Sequence, residues 1–420
     1  MIQMFFYEKI KYGFICLFEW IFVGVILGFF GSIIAIILKH GLIFIEKFTI
    51  AIPVYVSPVI AGMIMGLVFY RINKNTMGFG TDKYIEGINL KEGLFDQGLP
   101  VLKPLATLIT LGFYGSGGLV GPALLSGSSL SSVLIQSLKK IFSNNFIKGI
   151  DTRVAAIMGA SATIGALFHV PLGGGFLAVE ILKSSSMDYE DLFPSIIGST
   201  MGYIFATMLF KEQPVFAYYD YHFQTLHLVY FVLTAILGGI TGLLFVCFFK
   251  KLKSLYNKYD IRNELRPIIG SIFTALIGLV FGRQVLGLGF ETIQQTITGN
   301  SNLKEGIFQF FGKIFSTVFT VASGNSGGLV GPALFIGSAL GNIMGSFCPV
   351  EHAALVVSGM ASLLASTCNV PIASTVIISE IFGGLYIVPA VVGGVIGFII
   401  GKPFVVYDYL NNSKPFGFSD

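Results

Sequence analysis

The chain has 420 residues, of which 54% are hydrophobic and 11% charged, with a mean hydropathy of +0.81 and a formal charge of +4. A soluble globular domain carries about 25% charged residues, so this balance excludes a soluble enzyme and indicates an all-α integral membrane protein. The surrounding lipid bilayer is its first partner.

Apolar windows follow one another at 20–38, 48–70, 104–138, 154–179 and 193–210, and then at 228–249, 267–282, 314–350, 353–379 and 381–401. About 20 apolar residues cross a bilayer as one helix. The 35-residue window at 104–138 and the 37-residue window at 314–350 are therefore too long for single spans. Each reads as two shorter helices meeting at a break. The first window is too long, and too poor in a small-residue cleavage site, for a signal peptide, so it reads as a retained membrane helix.

The densest basic loop holds Lys250, Lys251, Lys253, Lys258, Arg262 and Arg266. The positive-inside rule favours the cytoplasm for it. Interfacial anchoring explains it better than a nucleic-acid site, and no nucleic-acid partner is expected. The cysteines Cys16, Cys247, Cys348 and Cys368 are scattered singly, as are the histidines His40, His169, His222, His227 and His352. No metal spacing or disulfide framework emerges from them, and no cofactor is implied.

The nonapeptide SGGLVGPAL occurs twice, at 116–124 and 326–334, inside the two over-long windows. The repeat extends beyond it. Lys103 and Lys313 precede their copies by 13 residues, and Gly127 and Ser128 match Gly337 and Ser338. Upstream, Gly78, Gly80 and Asp82 match Gly287, Gly289 and Glu291. Downstream, at an offset of 200, Gly159, Val170, Pro171 and Glu180 match Gly359, Val370, Pro371 and Glu380. An ordered set of this kind marks an internal duplication. Spacing alone leaves open whether the halves run parallel or inverted.

Irregular backbone is tolerated at membrane depth only where protein buries it or a polar cavity solvates it. The two breaks therefore point to a pathway. Pro122 and Pro332 suit a first helical turn, and a helix starting there leaves the N–H groups of Leu119, Val120 and Gly121, and of Leu329, Val330 and Gly331, facing an anion. One helix end supplies only about 0.3–2 kcal/mol, whereas stripping an ion of water costs tens. Several ends must converge. The Gly-x-Gly turns at Gly78 and Gly287 are candidates for further ones. No basic side chain lies in either nonapeptide, which suits an ion that must leave as readily as it enters.

A reading from another class starts at Gly324, Asn325, Ser326 and Gly327, which match the Gly-x-Ser-Gly of intramembrane serine proteases. A nucleophilic serine needs a base within hydrogen-bond reach. The nearest downstream candidate is His352, and the first copy, Ser116, has no matching histidine. No catalytic residue is therefore assigned, and the chain is not expected to be an enzyme.

Taken together, these residues resemble the CLC family of chloride channels and proton-coupled chloride transporters, over about 20–410. GSGGLVGPALLSG resembles the family's segment around Gly-Arg-Glu-Gly-Pro, and SGNSGGLVGPALFIG its Gly-x-Phe-x-Pro segment. GFGTD at 78–82 occupies the place of the first anion-binding loop, and VPLGGGFLAVEIL and VPIASTVIISEIF fall where the family has its Pro-to-Glu helices. The resemblance implies a CLC-type inverted repeat with many tilted and broken helices: an N-terminal segment 1–19, repeats at 20–215 and 216–410, and a tail at 411–420. It implies a homodimer with one pathway per subunit, chloride or a similar monovalent anion as substrate, and residence in the cell membrane of a prokaryote. The chain ends soon after its last window, so the family's cytoplasmic CBS pair is not expected.

Departures from the family pattern carry their own expectations. The gating glutamate falls at Val120 and the arginine beside it at Leu119. The internal proton-relay glutamate falls at Ile181. Glu180 is a membrane carboxylate open to two roles, functional or capping a helix end, and its counterpart Glu380 favours the second. The serine that helps hold the central anion aligns with Phe79, with Thr81 nearby. The tyrosine whose hydroxyl faces that anion matches Tyr407, with Tyr409 as the alternative. Paired loss of carboxylates at Val120 and Ile181 predicts passive chloride permeation without proton exchange. The rivals are a coupled antiporter using Glu180 or water, a protein for another halide or nitrate, and a degenerate structural or regulatory subunit.

Overall fold

The computed structural model describes residues 2–141, 149–183, 187–216, 221–299, 301–404 and 406–407, with side chains from residue 17 onward. Tyr409 and the tail at 411–420 lie outside the described residues. Apart from one isolated bridge, regular structure among the described residues is helical.

Among the described residues, two sets of eight helices correspond in order. The first comprises α1 (Ile2–Thr49), α2 (Ser57–Ile72), α3 (Thr81–Leu90), α4 (Leu99–Gly112), α5 (Val120–Ile141), α6 (Thr152–Phe168), α7 (Gly173–Glu180) and α8 (Tyr189–Leu209). The second comprises α9 (His227–Lys258), α10 (Arg266–Phe281), α11 (Phe290–Ile297), α12 (Leu303–Ala322), α13 (Val330–Gly345), α14 (His352–Cys368), α15 (Pro371–Phe382) and α16 (Ile387–Gly401). Helix α1 runs without a break through residue 20. The segments long and apolar enough to cross a membrane lie in α1, α8 and α9 and in α16 together with the short turn Gly384–Tyr386 before it, the first and last helices of each set. Phe18, Leu244 and Ile399 on them are exposed, as lipid contact requires.

Both over-long windows divide as their length demands, into α4 and α5 and into α12 and α13. Helices α5 and α13 begin at Val120 and Val330, two residues before the prolines expected to start them. Pro122 and Pro332 thus occupy the third helical position, where an N–H would still lack an intrahelical acceptor.

The windows at 154–179 and 353–379, read from hydropathy as continuous, are also broken. Helices α6 and α14 close on His169 and Asn369, both left-handed at φ 59° and 61°. Hydropathy is blind to these turns because they are buried: Val170 and Val370 are fully enclosed.

Contacts between the sets are reciprocal. Gly118 N–H donates to Gly328 O at 2.8 Å and Gly328 N–H to Gly118 O at 2.6 Å, an antiparallel pair between equivalent residues of the two nonapeptides. Thr107 Oγ1 lies 2.8 Å from Ser326 Oγ, and Ser116 Oγ lies 2.9 Å from Thr317 Oγ1. Ser326 N–H donates to Thr110 Oγ1, and Ser116 N–H to Thr320 Oγ1. Contacts that hold in both directions define a two-fold axis. The equivalent helices α5 and α13 start from this antiparallel pair and so meet head to head, the arrangement of an inverted repeat.

The same exchange recurs at α7 and α15. Glu180 accepts from the N–H groups of Ile372 and Ala373 at 3.0 and 2.7 Å, at the start of α15. Glu380 accepts from those of Leu172 and Gly173 at 2.9 and 2.8 Å, at the start of α7. Each carboxylate neutralises the positive end of the opposite repeat's helix.

Two stability predictions follow from these contacts. A Cβ on Gly118 would stand 2.7 Å from Gly331 N and 3.1 Å from Pro332 Cδ, so Gly118→Ala should destabilise the protein by about 1–3 kcal/mol, seen as a lower thermal unfolding midpoint in detergent. Glu180→Ala and Glu380→Ala should each remove a helix cap worth about 1–2 kcal/mol and lower the same midpoint. Values indistinguishable from wild type would refute the capping role.

Candidate functional site

The chain leaves α4 through Phe113 and a left-handed Tyr114 (φ 62°), passes the extended Gly117 and Gly118, and enters α5 at Val120. Ala123 N–H donates to Leu119 O as the first turn closes. Among the described residues, no protein acceptor takes the N–H groups of Leu119, Val120 or Gly121. The second copy repeats this: Ala333 N–H donates to Leu329 O, and Leu329, Val330 and Gly331 keep their N–H groups free in the same sense. The paired glycines set the two helix starts side by side at the two-fold axis. Both starts are enclosed, with Leu119, Val120, Leu329 and Val330 no more than 3% exposed.

The first Gly-x-Gly turn packs directly against this point. A Cβ on Gly121 would come within 2.1 Å of Phe79 O and 2.8 Å of Thr81 Oγ1, so only glycine admits the turn there. Gly78 and Gly80 both have positive φ, at 73° and 84°. Buried Lys103 holds the turn from behind, donating to Thr76 O at 2.9 Å and Gly78 O at 2.7 Å. In the second repeat Lys313 does the same, donating to Gly287 O at 2.7 Å. Sequence comparison registers these lysines as matched positions; their bonds to the turns appear only in the fold.

Phe79, Thr81 and Tyr407, drawn from distant parts of the chain, come together. The rings of Phe79 and Tyr407 lie 5.8 Å apart, and Tyr407 is hydrogen-bonded to Thr81 and to Cys368. Phe249 on α9 completes the cluster, edge-on to Phe79 at 5.8 Å. Sequence reasoning missed Phe249, one of 41 phenylalanines with no local mark. The contact of Cys368 with Tyr407 is equally unmarked in the sequence.

Ile181 ends α7, buried at 2% exposure, with an aliphatic side chain that carries no proton. Neighbouring Glu180 spends both carboxylate oxygens on the start of α15. Ser326, the residue of the serine-protease motif, is fully buried with its hydroxyl at Thr107, and no histidine is among its hydrogen-bond partners in the described residues. The described residues contain no group of three or more His, Cys, Asp or Glu that could hold a metal.

A cavity of about 720 Å³ opens beside the first helix start, reaching Leu119, Tyr114 and the turn from Gly287 to Glu291. Arg283 stands on its wall, 4.6 Å above the Tyr114 ring and donating to the tyrosine hydroxyl. The cavity lies toward the far end of α10 from Arg266 and the basic loop. At 1.5 Å per residue the 16 residues of α10 separate the two ends by about 24 Å.

Comparison with known proteins agrees with this geometry. The family model described as voltage gated chloride channel matches residues 4–148 and 61–402. An uncharacterized protein of Methanocaldococcus jannaschii is 29% identical over 93% of this chain and 95% of its own. A chloride/fluoride channel protein of Pseudomonas syringae is 24% identical over 77% of this chain and 71% of its own. Among solved structures, a CLC-type fluoride/proton antiporter superposes with a TM-score of 0.82 at 19% identity, covering 94% of this chain and 98% of that one. A slow cyanobacterial Cl⁻/H⁺ antiporter gives 0.76 at 19% identity, over 92% and 94%. The duplicated helix starts, the inverted repeat and the family match together place this chain in the voltage gated chloride channel (CLC) family of membrane anion transport proteins.

Proposed function

We propose that the chain conducts a monovalent anion, chloride first, passively and without proton exchange, in the cell membrane of a prokaryote. Val120 at the first helix start carries this reading. An amide-lined anion site beside a valine has no side chain that can compete with the ion or carry a proton, and Ile181 leaves the internal relay position equally inert. Backbone N–H groups of Leu119, Val120, Gly121, Leu329, Val330 and Gly331 supply the coordination, with Phe79, Thr81 and Tyr407 lining the path. Amide dipoles without a fixed charge favour rapid release as well as entry. Two subunits associate in this reading, each with its own pathway.

A second reading is a proton antiporter that uses another route, for chloride or fluoride. Its support is that two similar solved structures are of proton antiporters, one for fluoride and one for chloride. An ion-competition series among chloride, fluoride and nitrate separates the question of substrate from that of mechanism.

Purified protein in liposomes distinguishes the two mechanisms. Passive conduction predicts a chloride reversal potential that stays at the chloride equilibrium value when a pH gradient is imposed. A potential that moves with the gradient overturns it. Val120→Glu should slow chloride flux and make it rise on acidification, because a carboxylate placed at the helix start competes with the anion until protonated.

A further inference from the structure

The cavity beside the first helix start contains a cation that the local sequence of the anion site lacks. Leu119, where the family has an arginine, contributes only its amide. Arg283 reaches the same space from the opposite repeat, on the short turn that follows α10. Its guanidinium is fixed in place by stacking on Tyr114 and by its bond to the tyrosine hydroxyl.

The charges around it are arranged unevenly. Lys39, also on the wall, is held by Glu212 at 2.5 Å, and the same carboxylate takes His40 at 2.5 Å. Glu46 and Glu291 also line the cavity, and Glu46 lies within electrostatic reach of both Glu291 and Arg283. Among the described residues, however, no carboxylate lies within ion-pair distance of Arg283. A rigid guanidinium with no carboxylate in direct contact, bordering a cavity of about 720 Å³ that reaches Leu119, is placed to attract a small anion and release it to the helix start. A water-accessible cleft of this kind focuses the field of its fixed charges.

We propose that Arg283 is the anion-capturing residue at this entrance, and that Glu46 and Glu291 oppose it by their negative charge. This rests on the chain conducting anions. In this arrangement the entrance charge belongs to the second repeat, whereas the helix start it feeds belongs to the first.

The test is chloride flux through the full-length protein in liposomes, measured against chloride concentration at low ionic strength. Arg283→Gln should lower flux at low chloride on the order of ten-fold, with the two curves converging as chloride and ionic strength rise. Arg283→Lys should restore part of the loss. Glu291→Gln should raise low-chloride flux above wild type, an increase that misfolding cannot produce. Conducting protein whose chloride dependence is unchanged by Arg283→Gln and Glu291→Gln, or shifted by both in the same direction, overturns this proposal alone. Wild-type protein that passes no halide overturns it together with the transport reading.

Discussion

The reciprocal backbone pair between Gly118 and Gly328 is the contact on which the rest of the site depends. Two peptide groups, equivalent by duplication, exchange hydrogen bonds at 2.8 and 2.6 Å and bring two helix starts to one place. Neither start could hold an anion alone, since one helix end contributes about 0.3–2 kcal/mol against a dehydration cost many times larger. The absence of a side chain at both positions permits the approach. The Ser–Thr exchanges on either side, from Thr107 to Ser326 and from Ser116 to Thr317, fix its register.

Symmetry also settles how this protein handles charge in its interior. Lys103 and Lys313 are completely buried, and their ammonium groups are directed at carbonyl oxygens of the Gly-x-Gly turns. Glu180 and Glu380 are directed at N–H groups of opposing helix starts. In each case a charged side chain finds backbone dipoles as its partners, which is how a charge survives where water is scarce. Val120 and Ile181, the positions that the resemblance matches to the family's proton-carrying glutamates, are aliphatic. Carboxylates are retained where they join the repeats and are missing at those two positions.

The two halves are not equivalent on the pathway. The first Gly-x-Gly turn touches Gly121 and carries Phe79 into a cluster with Phe249 and Tyr407, whereas the second turn lines an open cavity with Arg283 beside it. Inversion sends the same motif to opposite sides of the two-fold axis. Different neighbours then give each copy a different task.

Much of this architecture was legible before any fold was known. Window lengths required breaks at the nonapeptides, and the spacing of Lys103, Lys313, Glu180 and Glu380 revealed the duplication. These features depend on local chemistry: hydropathy, backbone freedom and order along the chain. The turns at His169 and Asn369 escaped the hydropathy windows because one polar residue stands among apolar neighbours there, although the resemblance places helix starts at Pro171 and Pro371. The crossed caps, the Phe249 contact and the placement of Arg283 over Tyr114 were decided only by tertiary structure. Each joins residues more than 150 positions apart, and their meeting depends on how whole helices pack, which no local pattern encodes.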